Sequence, residues 1–64
     1  MDFLLQTHGS ICILLALTDD ARAWVEANLP ADRQQWGQRG TAIEPRYVQH
    51  IIDGIEADGM SVRT

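Results

Sequence analysis

His50 and Asp53 come closest to a catalytic pair in this sequence. On a helix, residues three apart share a face, so the imidazole could act as a general base with the carboxylate orienting it. No nucleophile stands ready to use such a base: Ser10 opens a predicted strand and Ser61 lies near the end of the chain. A solvated helix face accounts for the pair more simply. Cys12 sits inside an apolar run, where a thiol behaves as a small buried hydrophobe; a reactive thiol wants an electropositive, partly exposed site. Gly37-Gln38-Arg39-Gly40 has the glycines of a phosphate loop, but the Walker pattern also needs a longer loop ending in lysine and a hydroxyl residue. The histidines and the cysteine show no metal-ligand spacing. The expectation is a non-enzymatic protein without cofactor or metal.

Binding chemistry is better represented. Asp19 and Asp20 stand together at a predicted helix start, and Asp53, Glu56 and Asp58 crowd the second half of another helix. Carboxylates near a helix C-terminus oppose the dipole, so this placement costs stability locally and hints at use elsewhere. Tryptophan, tyrosine and arginine are the side chains most enriched among interface anchors. Tyr47 beside Arg46 and Trp36 in a polar stretch are the anchor candidates, although Trp36 reads first as a lid folded back on the core.

Charge narrows the partner. Nine acidic residues face five arginines and no lysine, for a net charge of −4. Affinity for nucleic acid comes largely from neutralising phosphates, so direct nucleic-acid binding is disfavoured and a basic protein surface is favoured. The longest apolar run, Ile11 to Leu17, has seven residues; a bilayer-spanning helix needs ~20. No basic stretch precedes that run, as a secretory signal would require. The lone thiol fits a reducing cytoplasm. With one cysteine an internal disulfide is impossible, and a chain of 64 residues has to rely on packing or on association.

The elements that must carry these residues can be read from spacing. Phe3 to Thr7 and Ser10 to Leu17 read as two strands around a short link containing Gly9. The second is apolar on both faces, which marks a central strand or one whose far face meets a partner. Thr18 caps a helix predicted over Asp19–Leu29, with Ala21, Trp24, Val25 and Leu29 on one face and Pro30 beyond. Residues 31–40 read as a polar loop, followed by a brief strand at Thr41 to Glu44. Pro45 opens a second helix running to about Asp58, with Val48, Ile51, Ile52 and Ile55 on one face and Gly59 beyond its end. Met60 to Arg63 alternates as a last strand. The order β-β-α-β-α-β predicts one α+β domain over residues 1–64, two layers deep, with both helices on one face of a three- or four-stranded sheet.

His8-Gly9-Ser10-Ile11, the segment from Leu17-Thr18 through Ala23-Trp24-Val25-Glu26, and Ile43-Glu44-Pro45-Arg46-Tyr47-Val48 with Asp58-Gly59-Met60 resemble a group of small bacterial and phage reading frames. The resemblance implies a bacterial or phage origin and carries no particular chemistry. The leading expectation is therefore an acidic binding module. Asp19, Asp20, Asp53, Glu56 and Asp58, with Tyr47 or Trp36 as anchor, would meet a basic surface, in the manner of phage inhibitors that mimic nucleic acid, anti-CRISPR proteins among them. The alternatives are a homodimeric accessory subunit, or a small enzyme built on His50 and Asp53.

Overall fold

A computed structural model describes residues 1–29, 35–37 and 39–64, with the backbone alone for 35 and 36. The order of elements is β1 (Phe3–His8), β2 (Ile11–Ala16), α1 (Asp19–Asn28), β3 (Gln35–Trp36), β4 (Gly40–Ile43), α2 (Pro45–Ala57) and β5 (Val62–Arg63). The strands form a single mixed sheet in the order β3-β4-β2-β1-β5.

The β1–β2 hairpin turns through Gly9 and Ser10, between the paired residues His8 and Ile11. Gly9 has φ 63°, and only the first of the two loop residues is left-handed, which fits a II′-type link. From that turn the register follows: Phe3 lies opposite Ala16, Leu5 opposite Leu14, and Thr7 opposite Cys12. On the other side β2 pairs antiparallel with β4, setting Leu14 opposite Thr41 and Cys12 opposite Ile43. Side chains alternate along a strand, so Phe3, Leu5, Leu14, Ala16, Thr41 and Ile43 share one face.

Both helices cover that face. Ala21, Trp24 and Val25 from α1 and Ile55 from α2 close over Phe3, Leu14, Ala16 and Ile43 as one buried cluster. Phe3 and Ile55 are 0% exposed, and the Phe3 and Trp24 rings meet edge to face with centroids 5.9 Å apart. Thr18 caps α1 by accepting from the Ala21 N–H at 3.0 Å. Leu29, held out of the helical region by the proline that follows it in sequence, has φ −105° and ψ 152°. At the end of α2, Gly59 takes φ 81°, the left-handed conformation that the sequence assigns to it. A Cβ at Gly54 would meet Trp24 Cζ2 at 3.5 Å, an ordinary contact, so the close approach of the helices does not by itself demand glycine there.

Two features differ from the sequence reading. Residues 35 and 36, read there as loop, pair antiparallel with β4, Gln35 opposite Thr41 and Trp36 opposite Gly40, so the sheet has five strands. The segment is too short and polar to alternate, and its pairing is set by β4 and by Gly37 at φ 70°. The last strand shrinks to Val62–Arg63 and runs parallel to β1, with Phe3 opposite Val62. The expectation that β2 is central holds, since β1 and β4 flank it. Its far face carries Ile11, Ile13 and Leu15, of which Ile13 is 1% exposed.

Candidate partner-binding surface

The sequence singled out acids and aromatic anchors, and the fold distributes them along the helical layer. Asp58 forms the C-cap of α2 and accepts a hydrogen bond from the Trp24 indole N–H at 2.6 Å. This supplies the local benefit that the sequence reading found missing: the carboxylate satisfies a partly buried donor and ties the two helices. Trp24 thus brings the end of α2 against α1 at Asp58. Asp19 and Asp20 are exposed in the first turn of α1, where they suit the dipole.

Asp53 and Glu56 are exposed on α2. Asp53 accepts from the Gln49 amide at 2.8 Å, one turn earlier. Among the described residues the one ion pair is Arg46 to Glu44, at 2.8 Å. Both partners are well exposed, so this pair contributes little to stability. Asp19, Asp20, Asp53, Glu56 and Asp58 thus carry no cation among the described residues.

At the other end of α2 the chemistry changes. Tyr47 is 50% exposed, and the Arg46 guanidinium lies over its ring, 4.9 Å from the centroid. Tyr47 and His50 border a cleft of about 410 Å³ whose other walls are Leu29, Thr41, Ala42, Ile43, Glu44 and Ile51. The sequence reading missed this cleft, because it forms only where the end of α1 at Leu29 meets the consecutive elements β4 and α2. At roughly 1.5 Å of rise per residue, Tyr47 and Asp58 stand about 16 Å apart along α2. Asp53, Glu56 and Asp58 therefore follow Tyr47 along α2 without Asp58 and the tyrosine forming one cluster, and Asp19 and Asp20 stand on α1.

His50 and Asp53 do not assemble a base and its orienter: the Asp53 carboxylate is bonded to Gln49, and no hydrogen bond joins it to His50 among the described residues. Cys12 is a buried free thiol. For Trp36 the backbone forms β3, while the choice between core lid and anchor lies outside the described residues. Gly37 and Arg39 belong to the turn into β4, and Gln38, the third residue of the loop motif, lies outside the described residues. Among the described residues no group of three His, Cys, Asp or Glu side chains could hold a metal ion, and no helix is long and apolar enough to cross a membrane.

The opposite end of the molecule is held by Asp2. Its carboxylate accepts from the Thr18 hydroxyl at 3.1 Å and from the Ser61 N–H at 3.2 Å, while its own N–H donates to Ser61 Oγ at 3.3 Å. The Ser61 N–H and then the Thr18 hydroxyl hold the Asp2 pKa below the usual aspartate value. Because Thr18 caps α1 and Ser61 leads into β5, one carboxylate joins a strand start, a helix start and the last strand. In comparison with known proteins, no family model, no curated protein and no solved structure matches this chain.

Proposed function

We propose that this chain is a non-enzymatic protein-binding module whose helical layer presents carboxylates to a basic surface of a partner. The observation that carries this reading is that Asp19 and Asp20 on α1 and Asp53 and Glu56 on α2 are exposed and form no ion pair with a described residue. Unneutralised surface charge steers association with a surface of opposite sign and repels phosphates. Where the partner's surface ordinarily holds nucleic acid, occupation by these acids blocks it. The protein is then a cytoplasmic inhibitor by charge mimicry, of the kind a phage or mobile element directs against a nuclease such as a CRISPR-Cas complex.

The first test is capture from a bacterial lysate with the tagged protein, elution in rising salt, and repetition with Asp53→Lys/Glu56→Lys. These two positions are chosen because Asp58 also holds Trp24. A nucleic-acid-binding partner should elute at moderate salt and bind the reversed variant at least about tenfold more weakly. Salt-independent capture, or equal affinity in the variant, would remove the reading.

A second reading, a homodimeric accessory subunit, is favoured by one observation. Leu4, Ile11, Leu15 and Ala42 are only partly buried on the sheet face away from the helices. Leu14 is 1% exposed and faces the helices, so a charge there would disrupt the core and say nothing about that face. Leu15→Glu is the informative variant. Sedimentation should show a wild-type dimer that this change converts to monomer; a wild-type monomer at high concentration excludes the idea.

A further inference from the structure

The cleft between β4, α2 and the end of α1 holds a buried polar group with no partner among the described residues. Thr41 is 5% exposed, its side chain shares the helix-facing side of the sheet with Leu14, and it lines the cleft. Its hydroxyl has no hydrogen-bond partner among the described residues. A buried hydroxyl left unpaired is costly, and such groups in folded proteins normally find a partner. The described walls are mostly apolar, Leu29, Ala42, Ile43 and Ile51, with Glu44, Tyr47 and His50 at the border. At about 410 Å³ the space is within the range of small-ligand sites and well above what a single benzene ring needs.

We infer that this cleft is a socket for a tyrosine or tryptophan side chain of a basic partner polypeptide, with Thr41 as the polar contact at its floor. The inference rests on the charge-presenting reading above and adds to it the partner's anchor residue. The apolar walls select a large apolar body, and the Thr41 hydroxyl, able both to donate and to accept, selects one that carries an N–H or O–H. Tyrosine and tryptophan are the side chains that combine these. The cleft lies on the surface of the helical layer, and Tyr47, half exposed on its border, is placed to cover an entering ring. Charge complementarity makes the partner basic. Among the described residues the charged side chain lining the cleft is Glu44, already paired with Arg46; the carboxylate without an ion pair is Asp53, six residues beyond Tyr47 on the same helix and exposed. One basic segment can therefore place its aromatic residue in the cleft and its cations against Asp53 and Glu56.

The probes are a synthetic arginine-rich peptide with one central tyrosine and the same peptide with alanine in its place. Binding is followed through the backbone amide NMR signals. The tyrosine peptide should bind about tenfold more tightly than the alanine peptide and shift the signals of Thr41, Ile43, Tyr47 and Ile51. Thr41→Val, which keeps the shape of the side chain, should remove most of that advantage. Leu29→Trp, which fills the cleft from its rim, should do the same, and signal dispersion checks that each variant is folded. If both peptides bind equally and move only Asp53, Glu56 and their neighbours, the socket is wrong and the charge reading stands. If the tyrosine peptide enters the cleft but Asp53→Lys/Glu56→Lys changes nothing, the socket stands and the charge reading fails. If neither peptide moves either set of signals, both fall.

Discussion

The two ends of the helical layer are built on opposite principles. At one end the Phe3 ring meets Trp24, Trp24 donates to Asp58, and Asp2 bonds to Thr18 and Ser61. Polar groups there are paired, and the pairs link segments distant in the chain. At the other end Leu29, Thr41, Tyr47 and His50 surround an open cleft, and the Thr41 hydroxyl lacks a partner among the described residues. A chain of this length has few residues to spare. The contrast separates an end whose polar pairs hold the fold together from one whose buried hydroxyl has no described partner, the end that the proposed socket would use.

The comparison can be broken most directly at Trp24. Trp24→Ala removes the ring that packs on Phe3 and leaves Asp58 without its donor, and should cost about 3–5 kcal/mol. That is comparable to the whole stability of many domains this small, so the variant should be largely unfolded by circular dichroism at 25 °C. Tyr47→Ala, at the open end, should shift the urea midpoint by only the equivalent of about 0.5–1 kcal/mol, the worth of an exposed cation–π contact. Equal losses in the two variants would abolish the division between the ends.

A smaller effect sharpens it. Asp2 has a lowered pKa in the folded protein, so its contribution to stability is fully present above the ordinary aspartate pKa. It fades as the pH falls through the lowered folded value. Denaturation midpoints measured down an acid series should therefore decline less steeply in Asp2→Asn than in the unaltered protein. Parallel curves would show that the Ser61 and Thr18 bonds do not depend on the charge.

The closed end was partly legible in the sequence and the open end was not. Thr18, Pro45 and Gly59 mark helix boundaries through local chemistry, and the structure places α1 and α2 within a residue of the bounds read from them. The apolar faces of Trp24, Val25 and Ile55 likewise follow from spacing alone. The role of Asp58 could not be read, because its partner lies 34 residues away and a carboxylate late in a helix looks only unfavourable from the sequence. The cleft is less legible still. Leu29 means nothing beside Thr41 and Ile51 until the fold brings the end of α1 against β4 and the start of α2. The pairing of Gln35–Trp36 fails for a related reason, since two polar-flanked residues have no period to detect.

The bond from Ser61 to Asp2 spans 59 positions of sequence. Joining positions so far apart carries a loop-closure entropy that has to be met before the contact returns anything, whereas the β1–β2 hairpin closes across two residues. In the order of assembly the hairpin therefore has the advantage and the Asp2 junction comes late. Until β5 arrives, the start of β1 is an unpaired sheet edge, the kind of surface through which unfinished chains pair with one another. Once β5 is in place it covers that edge at Phe3 and Leu4 and completes the sheet.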